Sequence, residues 1–305
     1  METILKMNNI TKLYKTQKAL DDFNINIEKG DIYGFVGENG SGKTTVIRLI
    51  SGLIYQNKGD FELFGVNCFD KQIDKTRKKL GAIVEAPSIY LNMSAYDNLK
   101  MQCILLNSDE KEIPSVLEYV GLQELLHSNK SAKNFSLGMR QRLGIAMCLI
   151  GNPEFIILDE PMNGLDPAGI VEIRELILKL NHEKNITFLI SSHILTELSL
   201  VANKYGIISK GHMIKEISSK ELENECRKSV AIKSKDVNKL NDIFSKFVPK
   251  ENIELFDNEI KIYDIDVNLV IKVINDEKMT IESIKSSDAN IEDYYLSLIG
   301  GVKHA

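Results

Sequence analysis

Eight consecutive residues, Gly37-Glu38-Asn39-Gly40-Ser41-Gly42-Lys43-Thr44, constrain this chain more than any other stretch. They match the pattern G-x-x-x-x-G-K-[ST] at every fixed position. The short apolar run Ile32 to Val36 precedes them. Val46, Ile47, Leu49 and Ile50 follow at helical spacing, and Gly52 supplies a helix stop. The order is therefore strand, glycine-rich loop, helix. Glycines let successive backbone N–H groups converge on phosphate oxygens, and a helix N-terminus adds its positive dipole end. In such a loop Lys43 reaches the β- and γ-phosphates, and the Thr44 hydroxyl ligates Mg²⁺. Glu38, Asn39, Ser41 and Thr45 are candidates for the same cradle.

A phosphate loop needs a second magnesium ligand and a group that orients the attacking water. Phe155-Ile156-Ile157-Leu158, bounded by Pro153 and Pro161, reads as a strand buried on both faces. Asp159 and Glu160 follow at its C-terminal end, where open α/β sheets bind ligands. Asp159 is the candidate for Mg²⁺ and Glu160 for polarising water. Two adjacent carboxylates repel one another unless a cation lies between them and the nucleotide.

The surrounding pattern fits that site. Phe23-Asn24-Ile25-Asn26-Ile27 alternates as a half-buried antiparallel strand does. From about Pro87 to Leu149 apolar residues fall at helical spacings, broken by Pro114, Gly121 and the turn at Ser128 to Ser131. A helix is expected from about Ala168 to Asn181 and a buried strand from Ile186 to Ile190. Strands alternating with helices argue for an α/β fold with a parallel sheet covered on both sides. Lys210-Gly211 suggests a hairpin into Met213 to Ile217, and Ser218 to Lys228 a linker or exposed helix. Beyond it, strands near Val230, Ile253 and Ile260 and helices at Val237 to Phe247 and Val267 to Ile274 suggest a separate α+β unit.

Composition narrows the classes. Of 305 residues, 43% are hydrophobic and 27% charged, which excludes wholesale disorder. Thirty-eight basic against forty-three acidic residues give a net charge of −5, so no nucleic-acid partner is expected. No apolar run approaches the roughly 18 residues that span a bilayer. The start lacks a charged region followed by an apolar one, so no signal peptide is expected. Cys68, Cys103, Cys148 and Cys226 show no C-x-x-C spacing, so reduced thiols in a soluble, intracellular chain are expected.

Taken in order, these motifs resemble the ATP-binding subunits of ABC transporters over about residues 4 to 217. Asn134-Phe135-Ser136-Leu137-Gly138-Met139-Arg140-Gln141-Arg142 looks like the family signature, usually written L-S-G-G-Q. Only Ser136 and Gly138 keep the standard identities; Phe135, Leu137 and Met139 depart. Ser136 can cap a helix and offer its hydroxyl to a γ-phosphate, and Gly138 permits close backbone approach. By resemblance, Tyr14 stacks on adenine and His193, after Ser191-Ser192, is the switch histidine contacting the γ-phosphate. Asp166, in Gly164-Leu165-Asp166, belongs by the same resemblance to the loop that meets the other protomer. The family usually has glutamine in the loop between core and helical subdomain. Here Leu80-Gly81-Ala82-Ile83-Val84-Glu85-Ala86-Pro87 puts Glu85 there, a third candidate metal ligand. This glutamate, with the S-L-G-M-R-Q-R-L signature, is similar to the variant in transporters that protect against bacitracin-like and lantibiotic peptides.

The resemblance implies a P-loop NTPase core of ABC type at 4–217. It would hold an antiparallel N-terminal β-subdomain, a parallel sheet and a helical insertion at about 87–149, with a C-terminal accessory α+β unit at 218–305. It implies an ATPase that uses ATP and Mg²⁺. Two copies would sandwich two ATP molecules, with Ser136 and Gly138 of one chain completing the phosphate loop of the other. Separate transmembrane permease subunits would hold the pair on the inner face of the membrane. The expected cargo is a peptide antibiotic of bacitracin or lantibiotic type. The alternatives are a soluble non-transport ATPase of the same superfamily and an exporter of another substrate. The stretch between Thr45 and Phe135 carries no sustained heptads, which disfavours the coiled-coil members. Intact Asp159, Glu160 and His193 disfavour a non-catalytic sensor.

Overall fold

The chain opens with two long antiparallel strands, β1 (Thr3–Tyr14) and β2 (Gln17–Glu28), in a computed structural model that describes residues 2–287 and 291–300. The last residues of the expected C-terminal unit, 301–305, lie outside the described set. Along β2 the alternation drives burial: Phe23, Ile25 and Ile27 are buried and Asn24 is exposed. β3 (Ile32–Val36) is buried at all five positions and feeds the glycine-rich loop and then α1 (Lys43–Ile50). β4 (Lys58–Leu63) and β5 (Val66–Asn67) complete an antiparallel sheet in the order β2-β1-β4-β5. A short helix α2 (Ile73–Thr76) leads into β6 (Leu80–Ile83).

The insertion is helical, as its apolar spacing predicts: α3 (Ala95–Leu106), α4 (Ile113–Tyr119) and α5 (Leu137–Leu149). Ser94 starts α3 with a reciprocal capping box to Asp97. The chain then returns through β7 (Phe155–Asp159), α6 (Pro167–Lys184), β8 (Thr187–Ser192), the short α7 (Leu195–Leu198), β9 (Lys204–Ser209) and β10 (His212–Ser218). The second sheet runs β10-β9-β3-β8-β7-β6. Its pairs are parallel except the β9–β10 hairpin, which turns at Lys210 and Gly211. β3, β7 and β8 are central and wholly buried, which accounts for their unbroken apolar runs. Their C-terminal ends lie side by side, with Asp159 opposite Ser191 and Val36 opposite Ser192. Neither β4 nor β6 is announced by the sequence: β4 is half exposed and rich in charge, and β6 is four residues long with a glycine.

The chain divides into compact units at Met1–Ser219 and Lys220–Ala305, with α8 (Ser219–Glu225) at the junction. Beyond α8, β11 (Ser229–Lys233), α9 (Val237–Phe244), β12 (Ile253–Leu255), β13 (Glu259–Tyr263), α10 (Val267–Asp276) and β14 (Ser283–Ser287) follow in βαββαβ order. The sheet order is β12-β13-β11-β14, all antiparallel, a ferredoxin-like arrangement. Val230, Ile232, Ile260 and Ile262 pack there with Leu240, Phe244 and Val270 of the two helices. α11 (Ile291–Gly300) ends the described chain.

Candidate functional site

Gly42 shows why the loop before α1 cannot be built from other residues. Its φ is +117°, and a Cβ there would lie 2.8 Å from the carbonyl oxygen of Ala19. Both conformation and space demand glycine. The loop ends on Lys43, whose side chain is only 6% exposed. Lys43 Nζ donates to the Gly37 carbonyl at 2.6 Å and lies 3.5 Å from Glu160 Oε1. Beside it the Ser41 hydroxyl is buried without a hydrogen-bond partner.

The acidic strand end faces this loop. Thr44 Oγ1 donates to Asp159 Oδ2 at 3.1 Å, and Ser191 Oγ donates to Asp159 Oδ1. Ser191 also accepts the Glu160 N–H at 3.0 Å, so one hydroxyl ties Asp159 and Glu160 to the end of β8. Sequence reasoning passed over Ser191. Its signal is positional, being the residue that parallel register sets against Asp159.

Glu160 has a φ of +50°, unusual for a non-glycine residue, at the step from β7 into the following turn. Its Oε2 lies 2.8 Å from His193 Nδ1. A carboxylate only accepts, so Nδ1 carries the hydrogen of that bond. Its Oε1 is buried without a hydrogen bond. The Ser41 hydroxyl is a buried group without a hydrogen bond, and a group of this kind costs about 1–3 kcal/mol. Glu160 Oε1 is ion-paired with the Lys43 ammonium rather than orphaned.

The cleft holds about 380 Å³ and is lined by Tyr14, Asn39, Gly40, Lys43, Thr44 and Thr45, with Glu85, Asp159 and Glu160 on its acidic side. Tyr14 is 41% exposed, with Lys12 Nζ 5.3 Å from the centre of its ring. Glu85 has a φ of +64° and is ion-paired with Arg48 of α1, a partner the sequence reading did not include. The hydroxyl and carboxylate oxygens of Thr44 and Asp159 suit Mg²⁺. That ion takes few protein ligands beside substrate phosphates. Among the described residues no group of three or more His, Cys, Asp or Glu could hold a metal, so a protein-only cage is not on offer.

Three expected residues stand elsewhere. Ser136 caps α5, accepting the Met139 N–H at 3.2 Å, and Asp166 caps α6, accepting the Gly169 N–H at 3.1 Å. With Gly138 they line a second cleft of about 320 Å³, separate from the phosphate loop. No described residue requires glycine at 138, because the nearest atom to an added Cβ is Leu165 Cδ2 at 3.9 Å. The chain therefore divides its candidate nucleotide contacts between two surfaces.

Comparison with known proteins matches that geometry. The ABC transporter family model covers residues 20–163, from β2 across the phosphate loop to just past Glu160. The bacitracin transport ATP-binding protein BcrA of Bacillus licheniformis is 41% identical over 99% of both chains. The lantibiotic transport ATP-binding protein SrtF of Streptococcus pyogenes is 41% identical over 70% of this chain and 90% of its own. Among solved structures, a post-hydrolysis dimer of the ATP-binding cassette MJ0796 with ADP and Pi superposes with a TM-score of 0.64 at 25% identity. It covers 70% of this chain and 98% of that one. The expected α/β cassette fold is borne out. No described helix is long and apolar enough to cross a membrane. The chain belongs to the ATP-binding subunits of ABC transporters and is an ATPase.

Proposed function

We propose that the chain is the motor of an exporter for a peptide antibiotic of bacitracin or lantibiotic type. Two copies close around two ATP molecules and drive separate membrane subunits, which hold them at the inner face of the membrane. The pairing is supported by one observation above all. Ser136, Gly138 and Asp166 line a cleft of their own, open and apart from the phosphate loop. A site shared across a two-fold axis brings the two surfaces together twice. The peptide cargo is supported by the 41% identity with the bacitracin subunit over nearly the whole length, C-terminal unit included.

Within one chain the geometry supports one mechanism. The loop N–H groups and Lys43 grip the phosphates, Lys43 exchanging its bond to Gly37 for the nucleotide. Thr44 and Asp159, braced by Ser191, would hold Mg²⁺, which when bound would neutralise charge on the β- and γ-phosphates. Glu160 Oε1, which makes no hydrogen bond and is ion-paired with Lys43, would accept from the attacking water, and His193 fixes the carboxylate from its other oxygen. Ser136 and Gly138 of the second copy close over the γ-phosphate. ATP then glues the dimer together, and hydrolysis releases it.

The test is resistance. With its membrane subunits in a sensitive host, the chain should raise tolerance to bacitracin or a lantibiotic, and Glu160→Gln should abolish the gain. An active ATPase without any gain for either peptide class would leave the motor and remove the cargo.

A further inference from the structure

We propose that Arg48 is a positioning residue for Glu85. Its guanidinium pairs with the Glu85 carboxylate from a position one helical turn along α1 from Thr44. Glu85 then reaches the metal site only by giving up that pair. The inference rests on the Mg-ATP reading of the cleft and adds a residue that reading does not contain.

Thr44 and Arg48 are four residues apart on α1, so their side chains leave the same face of the helix. Four residues of α-helix rise about 6 Å. Glu85 faces this strip from the loop after β6 and lines the same cleft as Thr44 and Asp159. It therefore has two electropositive partners within one turn of α1. One is the Arg48 guanidinium, with which it is paired; the other would be the Mg²⁺ that Thr44 and Asp159 are proposed to hold. Its backbone is held in the left-handed region, an arrangement that costs energy and persists only where the surrounding loop enforces it. The Ala86 N–H bonds back to the Val84 carbonyl at 2.8 Å across this residue. With the backbone tied, side-chain rotation is the available movement.

The pair is built to be exchanged. The Arg48 and Glu85 side chains are 39% and 63% exposed, so water competes for both and the contact is weak. A divalent cation beside a triphosphate offers the carboxylate a stronger partner. The arrangement also gives a reason for glutamate here. Charge-assisted hydrogen bonds are about twice as strong as neutral ones, so a glutamine would be held far less firmly by Arg48. Carboxylate and guanidinium form a matched pair in which each accounts for the other.

The test compares the parent, Arg48→Gln, Glu85→Gln and the double variant as full-length chains. The affinity of a fluorescent ATP analogue is measured for each with Mg²⁺ and with EDTA. Arg48→Gln should tighten binding about three-fold with Mg²⁺, the range expected for an exposed ion pair, and change nothing in EDTA. In the Glu85→Gln background the same substitution should have no effect. Equal changes in both backgrounds, equal changes with and without Mg²⁺, weaker binding, or no change would each overturn the positioning role. Lys43→Ala serves as the control: if it binds the analogue like the parent, the phosphate-loop reading has failed instead.

Discussion

His193 Nδ1 lies 2.8 Å from Glu160 Oε2, while Glu160 Oε1 is buried with no hydrogen bond and sits 3.5 Å from Lys43 Nζ. One carboxylate oxygen is anchored and the other is poised. Under the proposed mechanism Glu160→Gln keeps the shape and loses the carboxylate that orients water. Its turnover should fall at least about 100-fold, the low end for removing a general base. Phosphate release at saturating ATP measures it, and a fall of less than ten-fold would remove Glu160 from that role.

Lys43→Ala should lose nucleotide binding as well as turnover. The ammonium is buried, and its bonds are to loop carbonyls that phosphate oxygens replace. Titration with a fluorescent ATP analogue checks this, and parental affinity would contradict it.

Ser191→Ala tests a residue found only in the folded chain. Its hydroxyl serves Asp159 and Glu160 together; removal leaves the buried Asp159 Oδ1 short of a donor, while the Glu160 N–H keeps the Ser191 carbonyl at 3.2 Å. The expected cost is about 1–3 kcal/mol of stability in urea unfolding, accompanied by lower turnover. Parental stability and turnover together would show that water fills both roles.

Much of this was legible before folding, for identifiable reasons. The phosphate loop, the buried strand ending in Asp159 and Glu160, and the helix from about Ala168 leave local signatures in glycine spacing and apolar period. The C-terminal helices at Val237–Phe244 and Val267–Asp276 were equally readable from their apolar faces. What was hidden depends on pairing across the chain. β14 (Ser283–Ser287) reads as polar because one isoleucine is its only large apolar residue, yet β11 pairs with it along its length. Ser191 matters because parallel register sets it against Asp159, and Arg48 because α1 turns it toward Glu85. Neither relationship has a sequence spacing to betray it.

Cys148 should resist modification. Burial pushes its thiol up to about 12, so at pH 8 its thiolate fraction is on the order of 10⁻⁴. Iodoacetamide should leave Cys148 unlabelled in the folded chain and label it in urea, as peptide mapping would show. Rapid labelling in the native chain would contradict the packing of Cys148 against Gly81 at the edge of the parallel sheet.

The central claim is that a complete nucleotide site needs two chains, one giving the phosphate loop and the other Ser136 and Gly138. The direct measurement is the mass of the Glu160→Gln chain by size-exclusion chromatography with light scattering, with and without Mg-ATP. The account predicts a monomer without nucleotide and a dimer with it. It also predicts that adding Ser136→Arg returns the chain to monomer at the same ATP concentration. A Glu160→Gln chain that stays monomeric at saturating Mg-ATP, or a dimer indifferent to Ser136→Arg, would contradict it.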